Sequence, residues 1–271
     1  MEGAEETKQA PELYHYPRPA EITDTKALDI ETYVMSNLDN PQWKVCFQRP
    51  SITLESIRKS KFTSEVPMFK ITMDFGARID ADFILNMFEN FSWRRQWDEH
   101  VGGMEHIETQ DPGSIMHHQH FLFNRPLADR DVVVKCCFRQ VESELRTVFY
   151  STNHPSFPET REIERSKIHF GVYRVIEGDS TRMQIIQQVD MHFSLLRIQQ
   201  LVPLFLIDFM GRYRDEVLKR YPKSSIYSVS SCSFCRFCLA SSRAWKTARC
   251  RQPLPFFKAG NLVVARTLGK N

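Results

Sequence analysis

The sequence predicts an α+β fold in which a curved antiparallel sheet of about nine strands wraps around a long C-terminal helix. Segments of strand length alternate apolar and polar residues, as half-buried strands do. Short turn-forming links such as Asp111-Pro112-Gly113 and Glu177-Gly178-Asp179 join them. Such links favour antiparallel neighbours, because parallel pairs need long crossovers. The segment 196–220 is apolar on more than one side, which indicates a helix that covers an apolar interior.

Three main helices are predicted. Apolar residues recur at rough helical spacing over residues 25–38, where Asp24 or Thr25 is placed to cap the start. Asp80 begins a second helix, and its apolar positions follow the helical period of about 3.6 residues. The third runs over residues 196–220, with Pro203 in its first turn or at a kink. The predicted strands are 43–48, 52–58, 67–77, 103–109, 114–124, 131–141, 144–153, 163–176 and 182–193.

The composition indicates one main domain with two tails. Residues 1–24 are polar and rich in proline, which predicts a disordered leader. Residues 25–223 form the predicted domain, and residues 224–271 a flexible tail rich in Ser and Cys. The net charge of +3 is uneven, because residues 223–271 carry nine Lys or Arg and no acidic residue, which leaves 27 basic against 33 acidic residues elsewhere.

The composition also predicts the cellular compartment of the protein. No window approaches the about 18 apolar residues of a membrane span, and the N-terminus lacks a signal-peptide pattern. Cys136 and Cys137 are neighbours in a predicted strand, so they point to opposite faces and do not pair easily. We therefore expect reduced thiols in a cytoplasmic protein that makes only transient, peripheral contact with membranes.

Histidines and cysteines raise the question of metal binding. Strand alternation places His118 and His120 on one face and His117 on the other, so at most two of them share an ion. Solvent-facing or core histidines are the favoured interpretation, and we expect no metal and no cofactor. In the tail, Cys232-x-x-Cys235-x-x-Cys238 and Cys250 leave three alternatives open: zinc ligands, acylated membrane anchors, or a basic tail with no fixed role.

The run Trp93-Arg94-Arg95-Gln96-Trp97-Asp98 follows the second predicted helix. Arg94 and Asp98 are four residues apart, so on a helix they share one face within ion-pair reach. Opposite charges arranged in this way are able to grip a zwitterionic head group. An ordinary exposed ion pair is the alternative. We interpret Arg130-Asp131 as a strand-start ion pair, and Trp93 and Trp97 as aromatic anchors between helix and sheet.

These elements and motifs resemble the helix-grip fold of START (steroidogenic acute regulatory related lipid transfer) domains over residues 28–222. Arg94-Arg95-Gln96-Trp97-Asp98 is similar to the Arg-Lys-Gln-Trp-Asp of the phosphatidylcholine transfer protein-like members, which are nearest in motif. Pro126-Leu127-Ala128-Asp129-Arg130-Asp131 resembles the family's Pro-x-x-x-Arg-Asp signature. Residues 202–209 resemble its Ile-Pro-x-Trp-Leu-Ile-Asn lid segment.

The resemblance implies a protein that binds a single lipid, phospholipid or sterol-like, in an internal hydrophobic tunnel. It would carry the lipid between membranes or sense it, without catalysis. Arg94 would contact the lipid phosphate, while Asp98 would hold Arg94 or face the head-group amine. The family's aromatic cage for choline falls on Gln119 and Val132, which have no aromatic face. The lipid-binding residues expected on this basis are Arg94, Asp98, Gln119, Phe121, Leu201, Phe205 and Phe209.

Two other classes of function remain open. The first is a small-molecule enzyme of the same superfold, cyclase-like or hydrolase-like, with Arg94, Asp98, His117 and Gln119 available for acid–base chemistry. The second is nucleic-acid binding through the basic tail around Trp245. The acidic remainder argues against the second, because no folded face supplies a positive track. The sequence does not define the oligomeric state.

Overall fold

The computed structural model describes residues 11–123, 128–192 and 196–222, apart from the side chains of residues 196–200. The helices are α1 (Thr25–Ser36), α2 (Ala81–Glu89), α3 (Phe91–Arg94) and α4 (Leu196–Arg220). The strands are β1 (Lys44–Arg49), β2 (Ile52–Ile57), β3 (Met68–Asp74), β4 (Val101–Ile107), β5 (Ser114–Phe121), β6 (Arg130–Val141), β7 (Glu144–Ser151), β8 (Glu164–Arg165), β9 (Lys167–Ile176) and β10 (Arg182–Asp190). None of the described helices combines the length and apolarity needed to cross a membrane.

The strands form one sheet in the order β1-β2-β3-β10-β9-β7-β6-β5-β4. All pairs along this path are antiparallel. This confirms the predicted α+β sheet. The two-residue strand β8 lies off the path and pairs with β6 in parallel. The predicted strand 163–176 is therefore two strands, separated at Ser166, whose amide donates to the carbonyl oxygen of Asp131.

Two apolar layers pack on opposite faces of the sheet. On one face, α1 covers residues such as Phe170 and Val172 of β9. On the other, α2 and α4 pack against alternate residues, among them Tyr173 of β9. Cys136 and Cys137 divide between these layers as predicted, and both are free thiols. The sites discussed below all belong to the face that carries α2 and α4.

Local chemistry determines where the helices begin. The Asp24 carboxylate accepts a 2.8 Å hydrogen bond from the Ala27 amide, which caps α1 as predicted. Asp80 precedes α2, but its side chain accepts instead from the Tyr221 hydroxyl, at 3.0 Å. The start of α2 is thereby tied to the residue that follows α4.

α4 has the bounds that its sequence predicts. Its second half is anchored by Tyr213, whose buried hydroxyl donates to the carbonyl oxygen of Ile84 at 2.7 Å. The Trp97 ring lies 5.3 Å from Phe209 and 5.4 Å from Tyr213, measured between centroids. The prediction for Trp97 was an anchor between helix and sheet, and these ring contacts join it to α4. Trp93 packs edge-on against Phe83 of α2, with 5.5 Å between ring centroids.

The prediction of a disordered leader is wrong for residues 11–24. Tyr16 is only 4% exposed and packs 5.3 Å from the Phe138 ring, centroid to centroid. The Asn86 side chain binds both the amide and the carbonyl group of Tyr14. A proline-rich composition suggested disorder, but one buried aromatic ring and paired backbone groups hold this segment on the domain. Residues 1–10 and the tail 223–271 lie outside the described residues.

The predicted ion pair between Arg130 and Asp131 is also wrong. Neighbouring strand residues point to opposite faces, so each finds a partner on β8 instead. Arg130 pairs with Glu164 at 2.9 Å, and Asp131 pairs with Arg165 at 2.7 Å. These two residues therefore join β6 to the short parallel strand. Residues 124–127, which contain the first two residues of the Pro-x-x-x-Arg-Asp signature, lie outside the description.

Candidate functional site

Arg94 and Asp98 form a buried ion pair. Nε of Arg94 donates to Oδ2 of Asp98 at 2.8 Å, and the two side chains are 6% and 1% exposed. The geometry is local: α3 ends at Arg94, and the chain continues as one helical turn in which the Asp98 amide donates to the Arg94 carbonyl oxygen. The pair is present as the sequence predicts, but in the interior rather than at the surface.

Two aromatic rings face the Arg94 guanidinium. Its carbon lies 4.7 Å from the centroid of Phe88 and 5.5 Å from that of Phe121. Nη1 also reaches the Phe88 carbonyl oxygen at 3.3 Å. These contacts stabilise the buried cation, since the aromatic faces attract its charge. They also bring Phe121 of β5, a predicted site residue, to the ion pair.

β5 presents its histidines as strand alternation predicts. His117 and Gln119 face the interior, and Gln119 Nε2 lies 2.6 Å from His117 Nε2. His118 turns to the other face and pairs with Asp131 at 2.9 Å. Burial lowers the pKa of His117 to about 3, and the charges on nearby His106 and Arg94 act in the same direction. The His117 imidazole is therefore neutral at physiological pH.

Glu89 is a further member of this site, and sequence reasoning missed it. It ends α2, is 3% exposed, and its Oε2 lies 3.5 Å from His117 Nε2. Burial raises the pKa of the Glu89 carboxyl group, while the Arg94 charge opposes the rise. No signal for this burial is present in the sequence, because Asp82, Asn86 and Glu89 recur at helical spacing and predict the polar face of an amphipathic helix. We call Glu89, Arg94, Asp98, His117 and Gln119 the buried polar cluster.

A metal ion has three potential ligands in this region. One donor atom each from Glu89, His117 and Cys136 lies within 4.8 Å of the others. Burial and the charge of Glu89 raise the pKa of the Cys136 thiol well above its usual value, so it is protonated. A thiol binds metals as the thiolate, and the Arg94 charge also opposes a dication. These donors therefore fit a neutral polar group better than a metal ion.

The position of the predicted choline cage is now defined. Gln119 of β5 and Val132 of β6 are directly opposite each other across the antiparallel pair. Both are buried, and neither offers an aromatic face. The rings of Phe88 and Phe121 instead face the Arg94 guanidinium. This arrangement does not provide the cage that a quaternary ammonium group prefers.

The three predicted residues of α4 do not share one environment. Phe209 is buried and stacks at 5.9 Å on Phe205, while Phe205 and Leu201 are 43% and 55% exposed. Phe205 also lies 5.7 Å from the His100 ring and lines an open recess of about 520 Å³. The structure therefore gathers Arg94, Asp98 and Gln119 in the interior, next to the half-buried Phe121, whereas Leu201 and Phe205 face solvent.

A sheet that packs a long C-terminal helix over a buried polar cluster defines a helix-grip domain. The family model of the START domain matches residues 35–202, so this chain belongs to the START domain family. A search among curated proteins found no match to the chain.

Solved structures share the fold. Human STARD10 superposes with a TM-score of 0.64 at 16% identity, over 77% of this chain and 83% of that one. Human StAR-related lipid transfer protein 5 gives 0.60 at 16% identity, over 74% and 98%. A StAR-related lipid transfer protein fragment from Xanthomonas axonopodis gives 0.53 at 15% identity, over 65% and 98%.

Proposed function

We propose that this protein binds one lipid molecule between its sheet and α4, and that it carries or senses that lipid without chemical change. The observation that carries the proposal is the buried polar cluster inside an otherwise apolar core. Burying an ion pair gains little stability over apolar packing, because desolvation offsets the attraction. Polar groups at this depth are therefore better explained by a ligand whose polar end they meet.

The resemblance of the fold supports the same proposal. Two of the superposed structures carry the name StAR-related lipid transfer protein. Transfer of a lipid from a bilayer needs a large compensating burial of apolar surface. At about 25 cal/mol per Å², several hundred Å² of lipid surface gain on the order of 10 kcal/mol, which offsets much of the cost of extraction.

We infer that the first half of α4 is the part that contacts membranes and admits the lipid. Leu201, Leu204 and Phe205 are exposed apolar residues on successive turns of this helix. Pro203 lacks an amide hydrogen, so the helix is locally weaker there. Opening of this segment would expose the interior, where Phe209 and Ile207 are buried. Membrane contact of this kind is transient and peripheral, in keeping with a cytoplasmic protein.

An enzymatic role is not part of this proposal. The Asp98 carboxylate is engaged by Arg94, and the low pKa of His117 makes it a weak base at neutral pH.

The proposed domain corresponds to residues 25–223, extended at its N-terminus by the packed segment 11–24. The basic tail remains a candidate for membrane attachment through its cysteines.

Lipid uptake tests the proposal. Purified protein is incubated with vesicles made from a total cellular lipid extract, separated from them, and extracted with organic solvent. We expect about one lipid per protein molecule, and no chemically altered product. Gln119→Trp, which places a large ring beside Val132, is expected to reduce uptake, whereas His118→Phe on the opposite face of β5 leaves it unchanged. A protein that takes up no lipid would contradict the proposal.

A further inference from the structure

Two polar atoms of the buried polar cluster have no hydrogen-bond partner among the described residues. They are Oε2 of Glu89 and Nδ1 of His117, on side chains that are 3% and 0% exposed. Buried polar groups are nearly always hydrogen-bonded, because leaving one unpaired forfeits its hydration. The pair therefore calls for an occupant that satisfies both atoms.

The hydrogen-bond network assigns one atom as donor and the other as acceptor. The Gln119 amide nitrogen lies 2.6 Å from His117 Nε2 and donates to it. A neutral imidazole carries its single proton on the other nitrogen, so Nδ1 bears the hydrogen. Nε2 therefore donates nothing to Glu89, although Oε2 lies 3.5 Å away. The site presents a donor at His117 and an acceptor at Glu89.

We propose that Glu89 and His117 bind the hydroxyl group of an alcohol-headed lipid, such as a sterol or a diacylglycerol. A hydroxyl group donates one hydrogen bond and accepts another, so it offers a donor to Oε2 and an acceptor to Nδ1–H. This inference rests on the proposed lipid-binding function and names the ligand class for the same site.

The surroundings disfavour the main alternatives. A quaternary ammonium group has no hydrogen to donate and would find no aromatic cage at Gln119 and Val132. A phosphate group would meet the carboxylate of Glu89, and the only cation in the buried polar cluster, Arg94, is already engaged by Asp98. A single hydroxyl group needs neither a positive charge nor an aromatic cage.

Matched alcohols and ethers test the inference. Phosphatidylcholine vesicles are doped with a sterol, its O-methyl ether, a diacylglycerol or its O-methyl ether, and uptake of each dopant is measured. Because an ether cannot donate to Glu89, we expect at least one alcohol to be taken up at least about tenfold better than its ether. The sterol and diacylglycerol arms distinguish the two sources of the hydroxyl group.

Variants connect the preference to the two residues. Glu89→Met and His117→Phe are expected to abolish the preference for alcohol over ether while ether uptake persists. His118→Phe lies on the same strand but faces away, so it should leave the preference unchanged. The comparison of alcohol uptake with ether uptake is made in the unmodified protein, so the test does not depend on whether these variants fold.

Two outcomes overturn the inference separately from the proposed function. Equal uptake of alcohol and ether, or uptake of phosphatidylcholine in preference to both alcohols, would mean that a buried water satisfies Glu89 and His117; lipid binding itself would stand. Uptake of no lipid of any class would instead remove the proposed function together with this inference.

Discussion

The Arg94 guanidinium donates a 2.8 Å hydrogen bond to the Asp98 carboxylate in the interior of the domain, four residues away on one helical turn. Each charge is thus neutralised by a near neighbour in sequence, and the pair survives burial beneath α4. Asp98 also accepts a hydrogen bond from the His100 amide, which fixes the carboxylate at the start of β4.

Removing one partner of this pair should be costly. Arg94→Met leaves Asp98 buried without its cation, and we expect a loss of about 3–5 kcal/mol in the free energy of unfolding. The double variant Arg94→Met with Asp98→Leu removes both charges and should recover most of that loss. Urea unfolding measures both variants. If Arg94→Met is as stable as the original protein, the ion pair is hydrated rather than buried.

The N-terminal segment should contribute to stability through Tyr16. Tyr16→Ala removes a ring that is 4% exposed and packed on Phe138, so we expect a loss of about 3–5 kcal/mol. Tyr14→Ala is the matched control, because Tyr14 is 45% exposed and its backbone bonds to Asn86 persist in alanine. Thermal unfolding distinguishes the two. If both substitutions lower the stability only slightly and to the same extent, residues 11–24 do not pack on the domain and the prediction of a disordered leader holds.

Membrane contact through α4 is tested by a matched pair of leucines. Leu204 on α4 and Leu28 on α1 are both 43% exposed. Leu204→Ala should weaken partition onto vesicles, because it removes apolar surface from the proposed contact, whereas Leu28→Ala should not. Vesicle sedimentation measures the partition, and neither variant should lose much stability. If both substitutions weaken partition equally, α4 has no special role.

Acid should weaken the start of α1. Partial burial acts to raise the pKa of Asp24, but hydrogen bonds from Lys135, the Ala27 amide and Tyr150 outweigh it and lower the pKa from 3.8 to about 2. The carboxylate therefore stabilises the fold fully above about pH 4, and this contribution is lost as the pH falls through about 2.

Asp24→Asn isolates this charge, since asparagine also caps helices well. The variant should be less stable by about 1 kcal/mol at neutral pH, allowing for solvent screening, and the difference should vanish below about pH 2. Urea unfolding across this range measures it. A difference that stays constant with pH would mean that the Asp24 charge is not responsible.

Much of the fold was predictable because local patterns determine it. The turn sequences and alternating strands specify the antiparallel sheet, and α4 begins and ends where its periodicity does. Strand β8 was not predictable, since a two-residue parallel pairing leaves no pattern. Tyr16 escaped notice because its burial depends on Phe138, more than a hundred residues away.

The residues of the candidate site also divide into those that the sequence predicts and those that it does not. Arg94 and Asp98 were predictable, because their contact is made within one helical turn. Glu89 was not, since it meets His117 only when α2 packs on β5. Leu201 and Phe205 were expected to enclose the interior, but helical periodicity does not specify which side of α4 faces solvent.

Native mass spectrometry of the purified protein tests the central claim most directly. The protein is measured intact, then denatured, and any molecule released from it is identified. We expect one lipid per chain, held in the folded state and lost on denaturation. A protein that is reproducibly empty and remains so after exposure to vesicles would contradict lipid binding.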